Sequence, residues 1–376
     1  MIFYKLSNIY NLGIKELRSL YRDPVLFIFI LMAFSFMIFV AGKAASQKLN
    51  NAPIAVVDED QSPLSTRLIN AFYPPNFKTP DLIALHDIDP DMDSGKYTFV
   101  INIPPHFHRD MLAGKIPALQ VNVDATQMTQ AYIGASYIQN IINAEISEYQ
   151  KGYRASLNLP IKIAIRMRFN PTLTSEWFGS VMELINMITM LSVILTGAAL
   201  IREREHSTLE HLLVMPLTPV EVMVSKIWAM GLVVLVAAAL SLHFVIQGVL
   251  KMPIAGSIPL FLFATALVLF STTSLGILLG TVARTMPQLG LLMMLLIMPM
   301  QMLSGGVTPY ESMPEIIQVI MQAAPTTHFV RISQAILYRG AGLEIVWPHL
   351  LAISLIGAIF FSISLATFRR SLATAH

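Results

Sequence analysis

Residues 178–219 read FGSVMELINMITMLSVILTGAALIREREHSTLEHLLVMPLTP. The stretch 178–201 is apolar enough, and long enough, to cross a hydrocarbon core of about 30 Å. At Arg202 the chain turns densely charged. Within 202–219, Leu209, Leu212 and Leu213 recur at helical spacing while Glu203, Glu205 and Glu210 lie largely on other faces. Pro216 and Pro219 are expected to end or kink that helix, because each removes a backbone donor and disfavours helix at the residue before it. A short acidic amphipathic helix between two spans follows. Its plainest reading is a solvated connector; at a membrane surface it can also seat its leucines in a partner's groove and offer its carboxylates to basic residues.

Composition agrees with a membrane setting. Of 376 residues, 55% are hydrophobic and only 13% charged, and the mean hydropathy is +0.61, far from an ordinary soluble domain. A net charge of +2 is too small to imply nucleic-acid binding. The absence of cysteine excludes disulfides, thiolate metal sites and a cysteine nucleophile.

Working outward, residues 3–22 form an amphipathic segment with Leu6, Ile9, Gly13, Leu17 and Leu20 on one stripe and Lys5, Lys15, Arg18 and Arg22 off it, as an interfacial helix requires. Residues 24–42 form the first span, and the basic residues before it place the N-terminus in the cytoplasm. A cleaved signal peptide fits less well, since the leader is long and AGKAAS is a poor cleavage site. Residues 43–177 have ordinary charge density and read as an inserted extracytoplasmic α/β or α+β domain. Strands are expected at 53–60, 96–103, 119–125 and 161–169, and helices at 62–73, 104–114 and 126–153. Further spans are expected near 178–201, 222–250, 258–282, 289–304 and 345–368. The proline-rich segment 305–344 reads as short helices at the outer leaflet. The fold class is thus a polytopic α-helical membrane protein of about six spans. Residues 1–23 and the tail 369–376 are cytoplasmic, as is the loop 202–221.

Catalytic and metal chemistry finds little support. No G-x-x-x-x-G-K-[ST] loop occurs, so the chain is not expected to bind ATP itself. Leu303-Ser304-Gly305-Gly306 closes a hydrophobic segment and lacks the companion motifs of an ATPase. His106 and His108 have only Asp110 nearby, His206 and His211 miss the four-residue spacing of two ligands on one helical face, and no protease pattern accompanies His243. No cofactor or metal is assigned to this chain. The polar residues inside spans are more informative. Glu183 and Asn186 lie in the second span, where a carboxylate costs a few kcal/mol unless paired or neutralised, and Ser271 to Ser274 can bond to the preceding turn or face a neighbouring helix. Met298 and Met302, with Met286, Met293, Met294 and Met300, form an adaptable apolar set that serves packing or a translocation path.

Taken together, these parts resemble the permease subunit of type-2 ABC transporters, especially bacterial inner-membrane multidrug-type exporters with a large periplasmic domain. The family pattern E-R-E-x-G-T-x-E-x-L-x-x-x-P stands here as Glu203, Arg204, Glu205, Ser207, Thr208, Glu210, Leu212 and Pro216, with Ser207 where glycine is usual. Leu303-Ser304-Gly305, Met313-Pro314 and Pro325-Thr326 follow in the family's order. The resemblance implies that 202–219, including Leu213, is a coupling helix that docks on a separate ABC ATPase carrying ATP and Mg. It also implies a second permease chain, identical or not, and a gate at 305–344. Glu183, Asn186, Met298, Met302, Ser304 and Gly305 would lie along the path or gate, membrane lipid would surround the chain, and the outer domain could meet a periplasmic adaptor. A receptor or scaffold without transport remains the alternative. Proton-driven secondary transport through Glu183 is weaker, since no inverted hydropathy repeat is visible.

Overall fold

A computed structural model of the protein describes residues 2–44, 49, 51–124, 128–151, 174–205, 217–308 and 310–373. The chain forms two compact units, one from Met1–Ala45 with Met167–His376 and one from Ser46–Arg166.

The first unit is helical. Among the described residues five helices are long and apolar enough to cross a membrane: Pro24–Ala44, Glu176–Glu205, Pro219–Val249, Ile258–Val282 and Leu343–Ser371. The span expected at 289–304 is a shorter apolar helix, Met286–Met302, with Pro299 inside it. Helix starts are written locally as a capping side chain followed by proline. Asp23 accepts from the Leu26 amide ahead of Pro24, and Thr218 and Glu221 form a capping box around Pro219. Ser257 and Thr285 cap the next two helices in the same way. Each cap satisfies an otherwise orphaned amide, and proline is tolerated at the first turn because it has none to lose. Pro219 therefore opens a helix rather than closing the loop helix as the sequence suggested. At 305–344 the structure has short elements: a 3₁₀ turn at Tyr310–Ser312 and helices Glu315–Gln322 and Pro325–Leu337.

Ile258–Val282 is the central helix and packs most extensively against the second and last long helices. The reason lies in small residues. Gly276 and Gly280 stand one turn apart, and a Cβ on Gly280 would meet the Gly197 carbonyl oxygen at 2.9 Å and its Cα at 3.0 Å. A Cβ on Gly276 would fall 2.8 Å from the Val193 oxygen. The two backbones thus touch at the crossing, the small-residue approach by which helices associate where no water drives them together. Ser192 adds a buried hydrogen bond to Thr272 Oγ1 across the same interface, 2.6 Å. Thr272, Thr273 and Ser274 also donate to the carbonyls of Val268, Leu269 and Phe270.

The second unit is built on a four-stranded sheet in the order β2-β1-β3-β4, with β1 Ile54–Asp58, β2 Asp81–Leu82, β3 Phe99–Ile103 and β4 Gln120–Val123. β1 is parallel to β2 and β3, and β4 is antiparallel to β3. Ile54 and Val56 join one core with Leu64, Phe77, Phe99 and Ile138, while Ala55 and Val57 join another with Ile88, Tyr97 and Val100. Burial on both faces explains why β1 and β3 read as continuous apolar runs. Helices Pro63–Asn70 and Met128–Lys151 are joined by Arg67, which pairs with Glu145 at 2.7 Å and Glu148 at 3.1 Å. β2 and the short helix Ile88–Asp93 were missed in the sequence; the expected strand at 161–169 lies outside the described residues.

Candidate functional site

The chemistry of the helical unit concentrates where the helices on either side of 206–216 meet the N-terminal helix Ile2–Tyr21. Lys226 is 1% exposed, and its Nζ lies 2.8 Å from Glu16 Oε1 and 2.8 Å from Glu203 Oε2. Lys15 approaches Glu203 Oε1 at 3.1 Å from a half-exposed position. Two carboxylates and two ammonium groups are thereby neutralised together, three of them away from water. Burial pushes the Glu16 carboxyl up, against the pull of Lys226. The pairing ties together the N-terminal helix, the last turn of Ser175–Glu205 and the second turn of Pro219–Leu240.

Neighbouring contacts extend the joint. Arg202 bridges to Asp23, the residue that caps the first long helix, at 3.1 Å. Arg204 donates to the carbonyls of Ala283 and Thr281 at the end of the central helix. Asn8 donates to Glu221, and Trp228 Nε1 donates to the Ile9 carbonyl at 3.2 Å. Gly13 is buried directly against the Trp228 indole, in space that any Cβ would occupy. The stripe expected on residues 3–22 is inward from Ile9 onward, but Leu6 is exposed.

A second polar group gathers at the other end of Met286–Met302. Glu183 is half-buried one helical turn before Asn186, whose carbonyl accepts from Gln301 Nε2 at 3.0 Å. Ser304 is buried and donates to the Gln301 carbonyl at 2.7 Å. Gly305 follows at φ +93, a left-handed turn that glycine permits without strain. Thr326 Oγ1 donates to the Met300 carbonyl, Arg331 stacks on Tyr310 at 4.2 Å, and His328 Nδ1 meets His349 Nδ1 at 3.1 Å. Met294, Met298 and Met302 are exposed on the helix itself.

A profile of ABC-2 family transporter proteins matches residues 24–366. The chain belongs to this family. It is 56% identical to the inner membrane transport permease YhhJ of Escherichia coli K12 over 369 residues, covering 98% of this chain and 99% of that protein. It is 32% identical to the probable multidrug ABC transporter permease YbhR of the same strain, covering 95% of this chain and 96% of the relative. With its long apolar helices, this ABC-2 chain is a multi-pass membrane protein.

Against the ABC-2 loop pattern, the structure places Glu203 and Arg204 inside the joint and Glu205 exposed at the helix end. Thr208, Glu210, Leu212, Leu213 and Pro216 lie outside the described residues. Glu183, Asn186, Ser304 and Gly305 come together with Gln301, whereas Met298 and Met302 sit on an exposed face. Sequence reading missed Glu16 and Lys226 as partners of Glu203, and Gln301 as the partner of Asn186. The available signal was a charged residue one face away from the basic stripe at 16 and a lysine inside an apolar run at 226. His108 is engaged by the Tyr149 hydroxyl at 2.9 Å and its amide donates to Asp60. Among the described residues no three acidic or imidazole side chains converge as metal ligands.

Proposed function

We propose that this chain is the membrane-spanning half of an ATP-driven inner-membrane exporter. In this reading it pairs with a second permease chain and works through a separate ATPase that carries ATP and Mg. The observation that carries the reading is the buried Glu16–Lys226–Glu203 joint, which clamps both flanks of the 206–216 loop to the N-terminal helix and, through Arg202 and Arg204, to two further long helices. A loop so held transmits displacement. Push or pull by an ATPase on 205–216 reaches five helices as one body, because moving any one alone would strip partners from buried charges. Glu203 and Arg204 hold the base of the loop, while Glu205, Thr208, Glu210, Leu212, Leu213 and Pro216 form the docking surface. Both termini lie in the cytoplasm on this reading, and the 46–166 unit lies in the periplasm, where it meets cargo or an adaptor.

The substrate path runs past Glu183, Asn186 and Gln301 to the turn at Ser304 and Gly305, with the exposed methionines as its greasy wall. The names of YhhJ and YbhR, a transport permease and a probable multidrug permease, support this reading. The test replaces Glu210 with Lys or Leu212 with Asp. Membrane insertion is expected to stay normal while ATP-driven transport in vesicles falls at least tenfold and the copurifying ATPase is lost. Wild-type transport by both variants would overturn the docking role. A chain that never copurifies with an ATPase would favour the receptor or scaffold.

A further inference from the structure

The N-terminal helix, the first long helix and the third enclose a cavity of about 630 Å³ that belongs to neither polar site. Its wall includes Leu20, Ile30, Phe34, Val233, Ala237 and Val245, and among the described residues its only polar side chains are Tyr21, Ser35 and Ser241. The volume falls within the range of about 300–1,000 Å³ usual for small-ligand sites. From Leu232 to Val245 the lining runs along one helix for about 20 Å, at 1.5 Å per residue. Both long walls are locally widened into π-helix where they border it, at Ala33–Met37 and Ser241–Val249, a distortion often found at functional sites. The rim is apolar and open, with Phe27, Leu31, Val236 and Phe244 all exposed.

Charge at one end of this slot indicates its occupant. Leu17, Leu20 and Tyr21 of the interfacial helix close that end. Arg18 lies about 60° around the helix from Tyr21, and Arg22 follows directly after it. Both arginines are exposed, and neither has a carboxylate partner among the described residues, since Asp23 is taken by Arg202. On the opposite flank Gly13 and Glu16 are buried against Trp228 and Lys226. The chain therefore presents a long apolar slot beside two exposed guanidinium groups that have no carboxylate partner among the described residues. We propose that this cavity binds one anionic glycerophospholipid, its acyl chain in the slot and its phosphate on Arg18 and Arg22. The bound lipid would brace the N-terminal helix against the first and third spans, and hence support the charged joint next to it.

The full-length protein, solubilised with equimolar phosphatidylglycerol and phosphatidylcholine, tests this by native mass spectrometry of retained lipid. Wild type is expected to keep one phosphatidylglycerol per chain, with a preference of up to about 25-fold if each arginine contributes about fivefold. R18Q/R22Q, two surface changes that leave the packing untouched, should still hold a lipid but without that preference. Ala237→Trp should fill the slot and lose the lipid at unchanged oligomeric mass. An undiminished phosphatidylglycerol preference in R18Q/R22Q would overturn the headgroup assignment. Retention of the lipid by Ala237→Trp would overturn the slot, and a fall in oligomeric mass in that variant would show instead that a second copy of the chain fills it.

Discussion

Replacing Lys226 with Met removes the only cation in contact with Glu16 among the described residues and one of two on Glu203. Breaking a buried ion pair from one side costs about 3–5 kcal/mol, because the remaining charge keeps its desolvation penalty without compensation. Here the lower end applies. Glu203 retains Lys15 at 3.1 Å, and Glu16, whose carboxyl burial already pushes up, relieves itself by taking a proton. A loss of about 3 kcal/mol corresponds to a fall in melting temperature of about 6–12 °C for a unit of this size, read by thermal unfolding in detergent. The decisive comparison is the double variant Glu16→Met with Lys226→Met, which removes the charge with its partner and leaves Glu203 and Lys15 paired. Apolar residues of similar volume replace such pairs with little or no loss, so most of the melting temperature should return. A single variant as stable as wild type, or a double variant no better than the single, would refute the view that these residues form one neutralised joint.

Two further outcomes follow from the packing and the titration. Gly280→Ala should destabilise by about 1–3 kcal/mol, because its methyl meets backbone that cannot yield. Gly231→Ala, whose Cβ would find Leu269 Cβ at an ordinary 3.8 Å, should be neutral or stabilising by up to about 1 kcal/mol; paired thermal melts decide. For Glu16, a folded-state pKa above 4.5 means that the folded protein holds a proton the unfolded chain has already released. Stability therefore declines as pH rises from 4.5 through the raised value. Glu16→Gln should flatten that slope in melts taken across the acidic range.

Much of the architecture was legible because it rests on local or one-dimensional signals. The long apolar runs mark the spans, since each must satisfy its backbone internally as helix, and five of the expected ranges lie within or nearly within the long helices observed. Alternation at 119–125 marked β4, and continuous runs marked β1 and β3. Boundaries shifted where a cap was overlooked: Thr218 and Glu221 make Pro219 a beginning. β2 escaped because two residues carry no periodicity.

The site divides in the same way. The pattern from Glu203 to Pro216 was readable as a motif, and Glu183 with Asn186 stood out as polar letters in an apolar run. That alone determined the class of protein, a polytopic ABC-2 chain, because hydropathy and short motifs are properties of the linear chain. Only the tertiary structure decided that Glu203 faces Lys226 and Glu16, which lie 23 residues after it and 187 before it in the sequence. It alone showed Gln301 bonded to Asn186 and Gly280 seated on Gly197. Such pairings depend on which helix faces which, and that is set by the fit of small residues and the neutralisation of buried charge between distant segments. No local pattern records it.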